Sequence, residues 1–307
     1  MFNYNINYKS LKVILSVVIG VVFLSSGILK MISIYDFELY IFSFSIFSFD
    51  FSSLLARLVI GFEMALGFGY MINIYHKPFY YTILYTLIAF TIFLIILVAV
   101  GRDDNCRCFG ELVSLDPVDS IIKNVFLIAI VIYTKDDRKY ILPVNKNIAL
   151  AFCLLIVVIP IAINPPNKIR SMFYSSSTIN QVVLDDFVIS NDTLKLGSHV
   201  KMLCFYSTSC HYCELASQQV SQIVINNRLD PNKIMNFFWD DKLSINEFYD
   251  RTKAVACRYK IIDITDFLDI TDGNMPTIIL LEDGGKATVF DYHTIDERLI
   301  VEALLLQ

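Results

Sequence analysis

The chain has 307 residues, of which 55% are hydrophobic and 18% charged, and its mean hydropathy of +0.56 is too high for a soluble protein of this length. The net charge is −5 and no basic stripe accompanies the aromatic residues, so the composition argues against a nucleic-acid partner. Seven cysteines are too few for a disulfide scaffold, yet four of them form a Cys-x-Cys and a Cys-x-x-Cys pair, which indicates redox or metal chemistry.

Five apolar runs predict membrane-spanning helices, because a helix that crosses a bilayer needs about 20 mostly apolar residues. The fourth and fifth runs are short, and Lys123 interrupts the fourth, where its ammonium is expected to snorkel to the interface. The segment 31–53, rich in Phe and Ser, is interpreted as an interfacial segment anchored by aromatic residues rather than as a strand. The five runs lie at 11–29, 54–75, 79–100, 118–134 and 148–163.

Positive charge predicts how these helices are oriented. Basic residues cluster before the first run, between the second and third, and between the fourth and fifth, and such loops stay in the cytoplasm. Five crossings then place the loop 101–117 and the C-terminal region outside. We expect an integral protein of the cytoplasmic (inner) membrane, in contact with the lipid bilayer, with its N-terminus in the cytoplasm and its C-terminal domain in the oxidising periplasm. The clusters are Lys9 and Lys12, His76 and Lys77, and four residues within 135–146.

Lys30, Arg57 and Glu63 lie within or beside the first two apolar runs, where a charge is costly and needs a reason. Arg57 and Glu63 lie in the second run, and Lys30 closes the first. One interpretation is a structural ion pair or hydrogen-bond network, with nearby glycines permitting close packing of the helices. In the other, Glu63 handles protons beside a redox site or a quinone. The sequence leaves both interpretations open.

The loop 101–117 carries the first cysteine pair, Cys106 and Cys108. A disulfide between them closes a small, strained ring, and strained exposed disulfides tend to be oxidising and labile. The pair therefore suits thiol–disulfide exchange, with a static disulfide or a soft-metal site as the alternative.

The second pair lies in Cys210-His211-Tyr212-Cys213, which opens a predicted helix. At a helix N-terminus, free N–H groups and the helix dipole stabilise the Cys210 thiolate, and a partly cationic His211 favours it further. Cys213, one turn later, is then placed to resolve a mixed disulfide. The alternative is half of a zinc site, but no second half follows at a suitable spacing, so no metal is predicted.

The region after about 177 alternates between strand and helix patterns, which predicts an α/β domain. Asp240 ends the second strand and is expected to be exposed, as is His293; Cys204 is expected in the core, and Cys257 near the end of a helix. The predicted strands lie at 200–206, 233–239, 278–282 and 287–291, and the predicted helices at 210–225, 244–256 and 297–305.

The membrane half resembles the DoxX-like superfamily, and within it the methylamine-utilisation family MauE. The resemblance rests on Gly27 with Lys30, Arg57 with Glu63, and the Asn-Cys-Arg-Cys-Phe-Gly loop at 105–110, and it covers about 10–135. It implies a four-helix unit. MauE proteins are implicated in maturing a disulfide-rich periplasmic enzyme alongside a thioredoxin-like partner, and here the fifth helix is expected to tether such a partner.

The C-terminal region, about 185–307, resembles thioredoxin-like proteins of the TlpA and DsbA type. The Cys-x-x-Cys helix, the second strand and the Met275-Pro276-Thr277 segment carry this resemblance. It implies that Pro276 is cis and lies beside the cysteine pair. It also implies that the backbone of Met275 pairs with an extended substrate, next to His211 and Tyr212.

The sequence therefore predicts a multi-domain membrane protein with an α-helical transmembrane bundle and an α/β thioredoxin-like domain. The predicted boundaries are 1–140 for the four-helix domain, 141–177 for the fifth helix and linker, and 178–307 for the thioredoxin-like domain. The predicted function is thiol:disulfide exchange with extracytoplasmic client proteins, coupled to Cys106 and Cys108. A quinone in the membrane domain is a hypothesis by analogy. The alternative function is a copper-handling or maturation chaperone, because thiolate pairs suit Cu(I).

Overall fold

A computed structural model describes residues 8–72, 76–101, 116–135, 145–171, 179, 183–184, 187, 200–281 and 287–305. The chain divides into two compact units. The first comprises Met1–Tyr40 and Ser53–Pro165, and the second comprises Ile41–Ser52 and Pro166–Gln307. The predicted domain boundaries stay predictions, and the predicted linker lies outside the described residues from 172 onward.

The N-terminal part of the chain is helical wherever the structure describes it, apart from short connections. Each of the five predicted apolar runs forms a helix, and a short additional helix lies between the first two. The helices are α1 (Tyr8–Ile32), α2 (Ile34–Phe42), α3 (Phe49–Met71), α4 (His76–Val100), α5 (Pro117–Tyr133) and α6 (Lys146–Ile163).

Three of these helices are long and apolar enough to cross a bilayer, which makes this an integral membrane protein. They are Leu11–Ile32, Phe49–Met71 and Lys77–Val100. Helix α5 has 17 residues and the apolar part of α6 is also short. A helix of that length reaches about 25 Å, somewhat less than a hydrocarbon core of about 30 Å. The predicted five crossings therefore remain a prediction for α5 and α6.

The segment 31–53 is largely helical, since it contains the whole of α2 and the start of α3. Its interfacial position stays a prediction. Most side chains of α2 are buried, including the carboxylate of Glu38, which is fully buried. The alternation of Phe and Ser falls in the short connection between α2 and α3. It therefore does not predict the conformation of the two helices.

Helices α1 and α3 approach each other closely through glycines. A Cβ atom at Gly20 would lie 2.7 Å from the backbone oxygen of Gly67, and one at Gly67 would lie 2.7 Å from the oxygen of Gly20. Lipid gives no hydrophobic drive for helix association, so close backbone packing of this kind stabilises a membrane bundle. Gly61 of α3 packs in the same way on Val157 of α6.

The second unit contains a five-stranded mixed sheet with the strand order β3-β2-β1-β4-β5. Strand β1 pairs parallel with β2 and antiparallel with β4, while β3 is parallel to β2 and β5 antiparallel to β4. This arrangement agrees with the predicted thioredoxin-like domain. The strands are β1 (Met202–Phe205), β2 (Ile234–Phe238), β3 (Arg258–Ile261), β4 (Thr277–Leu281) and β5 (Ala287–Phe290).

The central strands β1 and β2 are buried along their whole length, which explains their continuous apolar sequence. Phe205 stacks on Phe237 with ring centres 5.0 Å apart, and Phe267 meets Phe205 edge-on at 5.5 Å. These rings hold a helix against the sheet. The helices of this unit are α7 (Asn167–Ser171), α8 (His211–Asn227), α9 (Lys242–Thr252), α10 (Ile264–Thr271) and α11 (Glu297–Leu305).

Among the described helices and strands of the second unit, α7, β3 and α10 were not predicted. Strand β3 has the sequence Arg-Tyr-Lys-Ile, and all four residues are exposed at the edge of the sheet, so no apolar run marks it. Helix α10 has only eight residues. The predicted position of Cys257 was consequently wrong: helix α9 ends at Thr252, and Cys257 lies in the connection that leads to β3.

We expect Gly20→Val to destabilise the membrane unit by about 1–3 kcal/mol, because its side chain would push α1 and α3 apart. Thermal unfolding of the full chain in detergent measures this. Val21→Leu is the matched control, since Val21 follows Gly20 on the same helix but is 47% exposed. Equal stability of the two variants would contradict the close packing described above.

Candidate functional site

Cys210 lies at the N-terminus of α8 and acts as its N-cap residue. Its Sγ atom accepts a hydrogen bond from the backbone N–H of Cys213 at 3.3 Å. The pKa of Cys210 is lowered to about 6, chiefly because the Cys213 thiol donates a hydrogen bond to the thiolate. The backbone N–H groups of Cys213 and Tyr212 and the charge of His211 lower it further, while partial burial opposes them. Half-exposed Cys210 is therefore a thiolate near neutral pH.

Cys213 has the opposite character. Its side chain is fully buried, and this burial raises its pKa far above the ordinary value. The hydrogen bond to Cys210 and the negative charge of Asp240 act in the same direction. The pair thus contains one accessible nucleophile and one protected thiol, three residues apart.

The turn that carries Cys210 is fixed by side chains from β2 and α9. Asp240 accepts hydrogen bonds from the backbone N–H of Thr208 at 3.1 Å and from its Oγ1 at 2.8 Å. Arg251 donates to the Thr208 carbonyl at 2.9 Å and pairs with Glu214 at 2.7 Å. Asp240 was expected to be exposed, but these bonds hold it half-buried, close enough to Cys213 to affect its pKa.

A groove of about 190 Å³ is formed by residues around Pro276 and by Tyr212 from the cysteine helix. The Met275–Pro276 peptide bond is cis, as the thioredoxin-like resemblance predicts. Tyr212 is 44% exposed, so it is available to a bound chain. The other side chains of the groove come from the turn before β4 and the turn after β5. The lining residues are Tyr212, Asn274, Met275, Pro276, Asp291, Tyr292 and His293.

His293 was expected to be a surface residue, and this prediction was wrong. It is half-buried, with its ring centre 5.7 Å from that of Tyr212. The guanidinium of Arg170 lies 2.9 Å from its Nδ1 atom. The His293 ring therefore packs against Tyr212. The His211 side chain is 62% exposed and lies 4.0 Å from Glu214. The turn after β5, which no motif marks, brings His293 here.

The remaining thiols of this domain are poor nucleophiles. Cys204 is fully buried in β1, as predicted, and burial raises its pKa strongly. Burial also raises the pKa of Cys257, to about 11. Near neutral pH, Cys210 is thus the thiolate among the described cysteines of the second unit. Cys106 and Cys108 lie outside the described residues.

Four charged residues of the first unit form two separate ion pairs, Lys30 with Glu63 and Arg57 with Glu38. The Lys30 ammonium contacts Glu63 at 2.6 Å, and Ser26 donates a hydrogen bond to the same carboxylate at 2.8 Å. Arg57 is not part of this group: it pairs with Glu38 of α2, a residue that the sequence reasoning missed. The proton-handling role of Glu63 stays a prediction.

The Arg57 guanidinium is fully buried and joins three helices of the first unit. It donates to the Ser53 carbonyl at 2.8 Å within α3 and to the Asn164 carbonyl, at the end of α6, at 2.6 Å. With Glu38 it thereby links α2, α3 and the negative end of the α6 dipole. Removing one partner of such a buried pair would leave an uncompensated charge. A structural role for Arg57 fits these contacts and stays a prediction.

The membrane half is similar to a known protein family. Residues 8–134 match the family model of methylamine utilisation protein MauE. This confirms the predicted MauE resemblance for α1 to α5, whereas the wider DoxX-like assignment stays a prediction. The chain is also similar to Protein TlpB of Flavobacterium psychrophilum, with 24% identity over 262 residues. That similarity covers 69% of this chain and 70% of the relative, so it extends beyond the MauE-like segment. No solved structure matches the chain.

The rate at which iodoacetamide alkylates Cys210 in the reduced protein should follow a single titration with a midpoint near pH 6. Above this pH the thiolate predominates and the rate is constant; below it the rate falls. Mass spectrometry of the Cys210 peptide separates this reaction from that of the other thiols.

Two variants test the physical cause of this low pKa. Cys213→Ala removes the main hydrogen-bond donor and should move the midpoint to higher pH. His211→Gln removes the smallest of the contributions named above and should move it far less. A midpoint that stays near pH 6 in Cys213→Ala would show that the thiol–thiolate bond is not its main cause.

Proposed function

We propose that this protein is a membrane-bound thiol:disulfide oxidoreductase that exchanges disulfides with extracytoplasmic proteins through Cys210 and Cys213. The observation that carries the proposal is the asymmetry of this pair. An accessible thiolate of low pKa stands at a helix end, a buried thiol follows one turn later, and a groove with a cis-proline adjoins the same helix.

The chemistry follows from this asymmetry. The Cys210 thiolate attacks one sulfur of a client disulfide, forms a mixed disulfide and releases the other client sulfur as a thiolate. Cys213 then loses its proton and attacks Cys210, which forms the Cys210–Cys213 disulfide and releases the second client thiolate. Two electrons have passed from the domain to the client. The same steps in reverse oxidise a client dithiol.

Client binding is assigned to the groove beside the pair. The backbone of Met275 lies next to cis-Pro276, where we propose that it pairs with an extended client segment. Tyr212 and His211 are exposed on the rim of the cysteine helix and would flank the client sulfur. An extended chain bound through its backbone places few demands on client sequence, which suits a protein with several clients.

The membrane half is proposed to return the Cys210–Cys213 pair to its starting redox state through Cys106 and Cys108. This requires both pairs on the same face of the membrane. The distribution of basic residues supports that topology, with the C-terminal domain on the periplasmic side of the inner membrane. A strained Cys-x-Cys disulfide is labile enough to take part in exchange.

Replacement of Cys213 by Ser should trap clients on Cys210 as mixed disulfides, because the resolving thiol is gone. Non-reducing gels of alkylated cell extracts, followed by mass spectrometry of the adducts, measure this. Cys210→Ser is the matched control: Cys213, the remaining thiol of this pair, is fully buried, so no adduct on the Cys-x-x-Cys peptide is expected. Adducts that persist in Cys210→Ser, or that are missing from Cys213→Ser, would contradict the assigned roles. In the copper-handling alternative, no covalent adduct is expected from either variant.

The relay is tested by Cys106→Ser with Cys108 retained. If the pairs exchange electrons, this change should leave Cys210 and Cys213 locked in one redox state in cells, as measured by acid quenching and thiol-specific mass tags. Cys257→Ser is the control, since its half-buried thiol lies outside the proposed route. A redox state equal to that of the wild type would refute the relay while leaving the thioredoxin-like chemistry intact.

A further inference from the structure

A cavity of about 100 Å³ lies among four helices of the first unit. Helices α1, α3, α4 and α5 each contribute side chains, so the cavity lies inside the MauE-like segment. Most of its wall is apolar and includes three phenylalanine rings. The apolar wall is formed by Val22, Phe23, Val59, Phe62, Leu87, Phe90 and Leu127.

Polar side chains gather on another part of the wall. The ion pair of Lys30 and Glu63 lies there with Ser26, and Lys123 and Asn124 of α5 join it. The side chain of Lys123 lines this cavity, and its expected snorkelling to the interface stays a prediction. The lining holds two ammonium groups and one carboxylate, so it carries an excess of positive charge and offers several hydrogen-bond donors.

Asn124 is the most informative of these residues. Its side chain is 1% exposed, and its Nδ2 atom has no hydrogen-bond partner among the residues that the structure describes. A buried donor without a partner is costly, and in a membrane no bulk water compensates for it. The amide therefore calls for an acceptor within the cavity.

The cavity is reached from the lipid side of the helices. Val59 and Phe62 line it and are also 37% and 45% exposed on the surface of the unit. In a bilayer such apolar surface faces the acyl chains. A molecule that enters here arrives from the membrane, so it must itself be largely apolar.

We propose that this cavity binds a membrane-soluble molecule that carries a carbonyl oxygen. The oxygen accepts a hydrogen bond from Asn124 Nδ2 and lies near the ammonium of Lys123, while the apolar body contacts the phenylalanine rings. A quinone head group and the carboxyl group of an acyl lipid share this chemistry. This proposal is argued from the cavity alone. It does not depend on whether Cys106 and Cys108 act as a relay.

Binding is tested on the full chain in detergent with three probes: decylubiquinone, menadione and oleate. At least one of them should raise the midpoint of thermal unfolding with increasing concentration. Asn124→Ala removes the donor but leaves the space open. It should weaken binding about fivefold to tenfold, as expected for the loss of one hydrogen bond in an apolar site.

A second variant and a control complete the test. Asn124→Leu removes the amide that lacks a partner and fills part of the cavity, so this variant should bind no probe. Without any probe, its unfolding temperature should be no lower than that of the wild type. Thr91→Val is the matched control, because Thr91 is a buried polar residue of α4 outside the cavity, bonded to the Leu87 carbonyl at 2.7 Å. It should bind like the wild type.

The three probes distinguish the two ligand sources. A response to the quinones alone identifies a quinone site, and a response to oleate alone identifies an acyl-lipid site. If no probe shifts the wild type, or if Asn124→Ala binds as tightly as Thr91→Val, the proposal is wrong. Neither result bears on trapping by Cys213→Ser, so the two proposals fail independently.

Discussion

The reactivity of the second unit depends on one hydrogen bond, between the Cys213 thiol and the Cys210 sulfur. It lowers the pKa of one cysteine and raises that of the other. The two side chains are identical and differ in their position. Cys210 lies just before the first turn of α8, where backbone N–H groups point at its sulfur. Cys213 lies inside that turn and is buried against the core. A helix that begins at this residue therefore converts two identical side chains into a nucleophile and a resolving thiol.

Much of this could be predicted from the sequence, because the determinants are local. A Cys-x-x-Cys pair after a buried strand fixes a helix N-terminus within a few residues, and Met275-Pro276-Thr277 before another apolar run marks the opposing strand. What could not be predicted depends on partners distant in sequence or on weak patterns. Strand β3 is wholly exposed and carries two basic residues, so its pairing with β2 decides its conformation. The contact of His293 with Tyr212 joins the turn after β5 to the start of α8, and most of the domain's sequence lies between them.

In the membrane unit too, contacts between residues distant in sequence could not be predicted. Lys30, Arg57 and Glu63 were found from sequence because charge is rare in apolar runs, but Glu38 and the pairing of these residues were not. Arg57 and Glu63 are six residues apart on α3, yet they bind different partners, Glu38 and Lys30. Asn124 was overlooked because a neutral amide does little to an apolar average. In the folded unit its Nδ2 atom is buried without a hydrogen-bond partner among the described residues, and it faces a different environment from the ion pairs.

The full burial of Cys213 also bears on how the protein withstands oxidants. A peroxide that reaches the domain meets Cys210 first and converts it to a sulfenic acid, the first and reversible step of cysteine oxidation. The Cys213 thiol lies one helical turn away, so it condenses with the sulfenic acid to a disulfide before a second peroxide drives the sulfur to the irreversible sulfinic state. Oxidative damage then ends in the same Cys210–Cys213 disulfide that the proposed exchange reaction forms, and whatever reduces that disulfide also repairs the protein.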